Sequence, residues 1–354
     1  MSQLFSPWTV RELSFRNRVF VSPMCQYSCR DGLATPWHLV HLGSRATGGA
    51  GLVMTEATAV SADGRISPAD LGIWDESHVG PLAGVAAFIR SQGAVPGIQL
   101  AHSGRKGSTE VPWLGRGAVP PERGGFTPIG PTAEPFAADY PAPRPATAAD
   151  IDRLEDDFRT AAVRALRAGF EVAELHMAHG YLLHEFLSPL SNQRSDEFGG
   201  SFANRERFPL RVARAVREVW PAKWPLFVRI SATDWAPGGW DIDQSVRFAQ
   251  SLRDAGADAI DCSSGGLVSY AQVPTSPGYQ VPFAERIRSE ADIATIAVGL
   301  ITEPEQAETI VSSGQADAVM LARAMLRDPY WALHAARTLG APPPWPSQYL
   351  RAAG

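Results

Sequence analysis

The segment that decides the fold is ATAADIDRLEDDFRTAAVRALRAGFEVAELHM, residues 146 to 177, in which a helical pattern leads into a strand. Thr147 followed by Asp150 indicates a helix N-terminal cap, and an apolar stripe then recurs at helical spacing, at Ile151, Leu154, Phe158, Ala162 and Leu166. The run VAELHM at 172 to 177 is typical of a buried strand. A helix joined to an apolar strand is the repeating unit of a parallel α/β sheet.

Seven further runs have the same strand-like character: RVFVS at 18–22, GLVMTE at 51–56, VPGIQLAH at 95–102, LFVRIS at 226–231, AIDCSS at 259–264, TIAVGL at 295–300 and AVMLAR at 318–323. Helical patterns separate them, among them one with a cap predicted at Asp243 and one with a cap predicted at Thr302. Eight such units predict a (β/α)8 TIM barrel, formed by residues 1–354 as a single domain. A doubly wound open sheet is the alternative, but no GxGxxG turn follows the first strand.

Three segments lie outside this repeat. Residues 1–17 contain LFSPWTVRELSF, which predicts an N-terminal hairpin that closes the bottom of the barrel. Residues 106–145 hold nine prolines from Pro112 onward and many glycines, so they predict a rim or lid loop after strand three. Residues 340–354 predict a short C-terminal tail.

The composition limits the class of protein. Apolar residues make up 45% of the chain, charged residues 19%, and the net charge is −5, which together describe a soluble globular protein. The basic residues are scattered, so neither a nucleic acid nor a membrane is the expected partner, and a small molecule is. Three cysteines without a disulfide framework, and an N-terminus without a signal pattern, predict the cytoplasm.

Unusual residues gather at the predicted strand ends, where a TIM barrel carries its chemistry. The ends read SPMCQY, TEA, QLAH, HMAHGY, RIS, CSSGG, VGL and ARAM. The pair His176 and His179 could be a zinc site, two structural histidines, or two donors to a carbonyl oxygen that gains negative charge. A zinc-dependent barrel hydrolase would need a third ligand, and the other strand ends offer no carboxylate cluster. No metal is therefore expected.

Three motifs resemble the Old Yellow Enzyme family of FMN-dependent ene-reductases: SPMCQY at 22–27, HxxHxY at 176–181 and NQRSDEFGGSFANRERF at 192–208. Cys25 with Tyr27, and the tail SQYLRAAG, are similar to the bacterial thermophilic-like subclass. The resemblance implies FMN as the cofactor, NADPH or NADH as the reductant, and an α,β-unsaturated carbonyl compound as the substrate. A dienoyl-reductase-like enzyme, a quinone or xenobiotic reductase and a non-catalytic flavin carrier are the alternatives.

The resemblance also implies the catalytic residues. His176 and His179 would hold the substrate carbonyl, and Tyr181 would protonate the α-carbon; the alternative for Tyr181 is a core tyrosine with a bonded hydroxyl. Tyr27 would face the substrate. Cys25 would lie at the reactive edge of the flavin, where we expect it to tune the redox chemistry rather than to act as a nucleophile.

Cofactor-binding residues follow from the same likeness. Arg229 would face the negative charge of a reduced flavin, the alternative being an ion pair with Asp234 or Glu174. Gln99 would contact the pyrimidine edge. The remaining predicted contacts to the ring are Ser22, Pro23, Met24, Ala57, Ser264 and Gly266.

Phosphate is expected at the loops after strands seven and eight, where TIM barrels commonly bind it. Gly299, Leu300, Ala322 and Arg323 stand there, and related enzymes usually carry glycine where this chain has Ala322. On the tail, Arg351 is implied to reach the pocket of a neighbouring subunit in a homodimer or homotetramer. The segment 192–208, with Arg194, Asp196, Asn204 and Arg205, is expected to hold a rim loop together.

Overall fold

The computed structural model describes residues 2–115 and 117–353, so Met1, Arg116 and Gly354 of the predicted hairpin, loop and tail segments lie outside the described residues. Eight parallel strands form a closed barrel in which each strand pairs with the next and the last pairs with the first. In chain order they are β1 Val19–Val21, β2 Leu52–Ala59, β3 Val95–Ala101, β4 Val172–Met177, β5 Leu226–Ser231, β6 Ala259–Ser263, β7 Ala294–Ala297 and β8 Ala318–Leu321. The predicted TIM barrel is confirmed.

Helices cover the outer face of this barrel. They are α1 Pro36–Thr47, α2 Val79–Ser91, α3 Ala148–Arg167, α4 Leu182–Leu187, α5 Phe202–Arg205, α6 Arg207–Val219, α7 Ile242–Asp254, α8 Val281–Ala291, α9 Pro304–Ser312, α10 Arg323–Arg327 and α11 Trp331–Thr338. Within residues 2–115 and 117–353, none of the helices is long and apolar enough to cross a membrane.

The helix caps follow the sequence only in part. The Thr147 hydroxyl accepts a hydrogen bond from the Asp150 amide, and the Asp150 carboxylate accepts one from the Thr147 amide, as predicted. The cap predicted at Asp243 is wrong: Asp241 caps α7, and its carboxylate accepts from the Gln244 amide at 2.9 Å. The cap predicted at Thr302 is also wrong, because α9 begins at Pro304, whose fixed φ suits the first helical position without a side-chain cap.

These two threonines make a matched test of the cap of α3. Thr147→Ala removes a hydroxyl that accepts from a helix amide, so we expect the free energy of unfolding to fall by about 1 kcal/mol. Thr302→Ala removes a hydroxyl from a helix end that has no side-chain cap, and we expect a clearly smaller loss. Urea unfolding of both variants measures the difference, and equal losses would contradict this account of α3.

An N-terminal hairpin closes the amino end of the barrel. Its strands, Trp8–Val10 and Leu13–Phe15, pair antiparallel. The Trp8 ring lies 6.0 Å from the ring of Phe20 and 6.3 Å from that of Phe227, measured between centroids, and Phe15 lies 4.9 Å from Phe20. Because full burial of one such side chain contributes about 1.5–3 kcal/mol, these rings form a stable apolar plug.

The barrel interior changes character from one end to the other. Side chains at alternate strand positions point inward, and those next to the hairpin are apolar: Phe20, Leu52, Met54, Val95, Val172, Phe227, Ala259, Ile296, Ala318 and Met320. Further along four adjacent strands, the inward positions hold Gln99, Glu174, Arg229 and Asp261, all of which are buried. Polar chemistry therefore begins inside the barrel, toward the carboxyl ends of the strands.

The long loop after β3 has little regular structure, as predicted from its prolines and glycines. It contains short 3₁₀ turns at Gly104–Lys106, Pro112–Leu114 and Pro121–Arg123. One two-residue ladder, between Ile129–Gly130 and Arg144–Pro145, ties its far end together.

Candidate active site

Three rings cluster just after β4. The centroid of the His176 ring lies 5.1 Å from that of His179 and 5.0 Å from that of Tyr181. Burial, with a smaller contribution from the Arg229 charge, lowers the pKa of both imidazoles well below the ordinary histidine value. Both rings are therefore neutral near pH 7, so each carries one N–H donor.

The backbone at this cluster turns through two left-handed residues, His179 with a φ of 60° and Gly180 with a φ of 71°. The His179 amide donates to Oγ of Ser231 at 2.9 Å, and Nε2 of His179 lies 2.7 Å from Oγ of Ser263. A non-glycine residue in this conformation is strained and needs such support. The ends of β5 and β6 thus fix the direction of the His179 ring.

A buried pair of residues supports the same turn from below. The Gly180 amide donates to Nδ1 of His184 at 2.9 Å, and Nε2 of His184 lies 2.9 Å from Oδ1 of Asp234. Oδ2 of Asp234 accepts from the Ser188 hydroxyl and from the Trp240 amide. The sequence offered Asp234 as a partner of Arg229; the structure instead places it under the loop that carries His179 and Tyr181.

Lys106 is a functional candidate that the sequence analysis used only as a loop boundary. Its Nζ donates to the carbonyl oxygens of His179, at 2.8 Å, and of Gly266, and so joins the loops after β4 and β6. Burial, and secondarily the neighbouring Arg105 charge, lower the pKa of Lys106 to about 7. The feature of the sequence that could have pointed to Lys106 is the basic pair Arg105 and Lys106 in QLAHSGRK, directly after strand three.

A cleft of about 670 Å³ opens beside Tyr181. Its walls come from the loops after β1, β3, β4 and β6, and include Tyr27, Lys106, Phe136, Tyr140, Tyr181 and Gly266. Nζ of Lys106 lies 4.1 Å from the ring centre of Phe136 and 5.7 Å from that of Tyr181. Burial raises the pKa of Tyr181 well above its usual value, so its hydroxyl remains a proton donor.

The loop after β1 carries Cys25 and Tyr27 beside this cleft. Tyr27 has a φ of 48°, and the Gln26 amide before it donates to Oε2 of Glu56 at 2.9 Å. Oε1 of Glu56 lies 3.1 Å from Nε2 of His38, which anchors the carboxylate. The pairing of β2 with β3 is interrupted between Met54 and Ala57, the stretch that contains Glu56. Such strand irregularities change the direction of side chains and are common next to active sites.

The Cys25 thiol is expected to react slowly. Burial raises its pKa well above the ordinary value, and the carboxylates of Asp70 and Glu56 raise it further, so the thiolate fraction is small at neutral pH. Iodoacetamide should modify the native protein at least about tenfold more slowly than an unfolded sample between pH 6 and 9. Mass spectrometry of the Cys25 peptide measures the rate, and rapid alkylation at pH 7 would show an activated cysteine instead.

Arg229 lies inside the barrel on β5, between β4, which carries Glu174, and β6, which carries Asp261. Its Nη1 donates to Oγ of Ser22 at 3.0 Å, and its Nε lies 3.1 Å from Oδ2 of Asp261, although without the angle of a hydrogen bond. Next to it on β4 lies Glu174, whose Oε1 accepts from Nε2 of Gln99 on β3 at 2.7 Å. Asp261, which the sequence analysis did not single out, is thus the ion-pair partner of Arg229.

A second cavity, of about 220 Å³, runs from Arg229 to the loops after β7 and β8. It brings together all four residues predicted at the phosphate: Gly299, Leu300, Ala322 and Arg323. Arg327 also lines it. Gly299 has a φ of 119°, and a Cβ there would lie 2.5 Å from the side-chain amide of Gln280, so only glycine lets the backbone pass.

The other predicted ring contacts are spread around the barrel mouth. Pro23 and Met24 follow β1 and are half-buried, and Ala57 lines a small gap next to Tyr181. The Ser264 hydroxyl donates to Oε1 of Gln280 at 2.6 Å and accepts from the Trp235 indole at 2.9 Å. Protein groups thus already engage the Ser264 hydroxyl.

Two predictions concern residues away from this mouth. Arg351 lies exposed on the 3₁₀ turn Ser347–Ala352. In the rim segment, Nη1 of Arg194 donates to the carbonyl oxygen of Ala146 at 2.7 Å, and Nη2 of Arg205 donates to Oε1 of Gln244 at 2.8 Å. These bonds tie the segment to its surroundings, in agreement with the predicted structural role.

Metal ligation was the competing interpretation of the two histidines. In the described part of the chain, no group of three or more His, Cys, Asp or Glu side chains is arranged to hold a metal ion.

The chain matches known proteins over nearly its whole length. Residues 3–341 match the model of the NADH:flavin oxidoreductase / NADH oxidase family. It is 49% identical to an NADPH dehydrogenase of Geobacillus sp. (strain WCH70) over 341 residues, which cover 96% of this chain and 95% of that protein. It is 44% identical to an NADPH dehydrogenase of Bacillus subtilis (strain 168), covering 99% of this chain and 98% of that protein. Among solved structures, morphinone reductase superposes with a TM-score of 0.80 at 27% identity, covering 96% of this chain and 90% of that one.

The residues at the barrel mouth fit the FMN that this family uses. Nδ1 of His176 and Nε of Arg229 are buried without a hydrogen-bond partner among the described residues, and Gly299 leaves room where a Cβ would not fit. Arg323 and Arg327 line the far end of the same cavity, where a phosphate would find cationic donors. The chain is therefore an NAD(P)H-dependent FMN oxidoreductase and belongs to the NADH:flavin oxidoreductase / NADH oxidase family, the Old Yellow Enzyme family.

Proposed function

We propose that the protein reduces the activated C=C bond of α,β-unsaturated carbonyl compounds with NADPH or NADH. The observation that carries the proposal is the cluster of two neutral imidazoles and one phenol directly after β4, whose phenol, Tyr181, lines the 670 Å³ cleft. Two N–H donors suit one oxygen that becomes negative, and a phenol that is fully protonated at neutral pH has a proton to give.

The chemistry that bound FMN would supply is hydride transfer, from the reduced nicotinamide to the β-carbon of the alkene. The chain's part is to hold that group. Arg229, Gln99 and Ser22 would contact the ring, with Pro23, Met24, Ala57, Ser264 and Gly266 around it. Gly299, Leu300, Ala322 and Arg323 would hold the phosphate, supported by the cavity that these four residues line together.

His176 and His179 hold the carbonyl oxygen of the substrate. Because burial keeps both rings neutral, each has one N–H that it can donate to this oxygen. As hydride reaches the β-carbon, negative charge grows on this oxygen, and fixed donors in a dry site stabilise that charge strongly. The contacts of His179 with Ser231 and Ser263 pre-orient its ring, which is the condition for such stabilisation.

Tyr181 then gives its proton to the α-carbon. Its ring stands 5.0 Å from that of His176, on the side where the cleft opens. The raised pKa of the phenol means that it is fully protonated at neutral pH and available as the acid. Tyr27 and the rim formed by residues 106–145 bound the substrate from above, and nicotinamide and alkene use the cleft in turn.

A quinone or xenobiotic reductase is the second candidate on the same site. Tyr27, Phe136 and Tyr140 give the cleft aromatic walls, and its volume exceeds what a small cyclic enone fills. Aromatic walls favour flat, conjugated substrates.

We also propose a homodimer or homotetramer in the cytoplasm, in which Arg351 on the tail 340–354 reaches a neighbouring subunit. Trp37 and Val40 on α1 are 51% and 65% exposed, and Leu350 beside Arg351 is 60% exposed, which is apolar surface that a second subunit would bury. Arg351→Ala should raise the KM for the enone without changing reduction by NADPH. Unchanged kinetics in an oligomer of the same size would refute this contact.

The enzyme itself is tested by its spectrum and one titration. The purified protein should be yellow, lose its visible band when NADPH is added without oxygen, and regain the band when cyclohexenone follows. A colourless protein that does not bind FMN would overturn the proposal. Reoxidation by a quinone but not by an enone would favour the second candidate.

A further inference from the structure

The polar layer inside the barrel carries an unbalanced set of charges. One guanidinium, Arg229, is 6% exposed, and two carboxyl groups, Glu174 and Asp261, are each 0% exposed. The three lie on the adjacent strands β4, β5 and β6, and Arg229 is the register partner of Asp261. None of the steps described so far uses Glu174 or Asp261.

The two carboxyl groups have few hydrogen-bond donors around them in the described chain. Oε1 of Glu174 accepts from Gln99, but its Oε2 and both oxygens of Asp261 have no hydrogen-bond partner in the described chain. The Nε of Arg229 is at ion-pair distance from Asp261, 3.1 Å, and is likewise without a hydrogen bond. Buried carboxyl oxygens without donors are costly unless a proton neutralises them.

Few groups face this pair from the surrounding elements. Ser22 after β1 bonds Arg229, Gln99 of β3 bonds Glu174, and His176 of β4 is neutral. Asp261 and Arg229 supply the charges acting on Glu174, and Arg229 supplies that acting on Asp261. The inward residues on β7 and β8 are apolar, Ile296, Val298 and Met320. Two ionised carboxylates would therefore leave one negative charge unpaired in the barrel.

An unpaired charge buried away from water strongly destabilises the folded protein. One proton between the two carboxyl groups restores neutrality with Arg229. We propose that Glu174 and Asp261 share one proton, held on Glu174, and that the pair binds a second proton from solvent when the flavin beside Arg229 is reduced. This inference rests on the proposed placement of FMN against Arg229.

The direction of the pKa shifts supports this assignment. Burial, followed by the charge of Asp261, raises the pKa of Glu174 to about 8, and burial raises that of Asp261 to about 6. The position of Arg229 decides between the two: its Nε lies 3.1 Å from Oδ2 of Asp261, so Asp261 is the carboxyl group that stays ionised and Glu174 is the one that holds the proton. Negative charge added beside Arg229 raises the pKa of Asp261 further. At a pH above the resting pKa of Asp261, reduction of the flavin therefore causes this carboxylate to bind a proton.

The proton balance of the reaction stays intact. The hydride from the nicotinamide brings two electrons and one proton to the flavin, and the proton on Asp261 comes separately from solvent. When the alkene accepts the hydride, the added negative charge disappears and Asp261 releases that proton. Overall, the alkene still consumes one NAD(P)H and one proton, the latter delivered by Tyr181.

The midpoint potential of bound FMN, measured from about pH 5 to 9, tests the pair. For a two-electron couple, each additional proton steepens the fall of the potential by about 30 mV per pH unit. Around pH 7, Asp261→Asn should lose this extra slope, whereas Glu174→Gln, which imitates the protonated acid, should keep it. Glu185→Gln is the matched control, because Glu185 is equally buried with a pKa of about 8 but faces Arg105; its slope should equal that of the wild type.

Two measurements keep the test independent of any one variant. Reduction of the wild-type holoenzyme in weak buffer at pH 7 should take up more protons than reduction of free FMN, as a pH indicator reports. Equal proton uptake, or equal slopes in wild type and Asp261→Asn, would overturn the inference even if enones are reduced. An Arg229→Met holoenzyme with an unchanged potential would instead contradict the placement of FMN, on which the proposed function also depends.

Discussion

Tyr181→Phe is expected to slow reoxidation of the reduced enzyme by an enone about 10²–10⁴-fold, the usual contribution of one general acid. The substitution removes only the hydroxyl, so the ring and its contact with His176 remain. Reduction of FMN by NADPH needs no proton from this residue and should proceed at nearly the wild-type rate. Stopped-flow absorbance at the flavin band resolves the two half-reactions.

Tyr270→Phe is the control for this experiment. Tyr270 lies on the loop after β6 and is 66% exposed, so loss of its hydroxyl should leave both half-reactions unchanged. A Tyr181→Phe enzyme whose two half-reactions slow equally would point to a disturbed cofactor site, and the assignment of Tyr181 as the acid would then be wrong.

Replacing both His176 and His179 by alanine is expected to have the second large effect. Each lost donor to a developing oxyanion costs about 10²–10³ in rate, so the double variant should have almost no enone reductase activity. Phenols, whose oxygen imitates the enolate, should no longer bind. A spectral titration with a phenol follows this directly, because the long-wavelength charge-transfer band that we expect for the wild type should be missing in the double variant.

His334→Ala serves as the matched control, since the His334 side chain is largely exposed and pairs with Asp328 on the outside of the barrel. It should keep the phenol band and the activity. Undiminished phenol binding by the double variant that still binds FMN would show that the imidazoles do not hold the oxygen.

Much of this architecture was readable from local patterns. Periodicity placed all eight barrel strands, and the segment Thr147–Met177 alone contained a cap, an amphipathic helix and a buried strand that the structure reproduces. The positions of Arg229 and of the four residues predicted at the phosphate followed from where strands end in such a barrel, and the structure brings those four to one cavity. Local signals suffice where the feature itself is local.

Pairing between distant segments could not be predicted in the same way. The partner of Arg229 is Asp261 on the next strand, whereas the sequence suggested Asp234 or Glu174, because register decides which inward side chains meet. Lys106 and the pair His184–Asp234 act on backbone atoms of the loop after β4, and no residue pattern announces a contact with a carbonyl oxygen or an amide. The wrong caps have simpler causes: two aspartates, Asp241 and Asp243, stand close together at the start of α7, and α9 begins at Pro304 without a side-chain cap.

The contact between the loops after β4 and β6 has a consequence for anyone who wishes to redesign this catalyst. A methyl group on Gly180 would lie 2.3 Å from the Gly266 carbonyl oxygen, and one on Gly266 would lie 2.7 Å from Cα of His179. These two positions therefore tolerate no diversification, and libraries aimed at new substrates are better spent on side chains that line the cleft, such as Val268 and Val273.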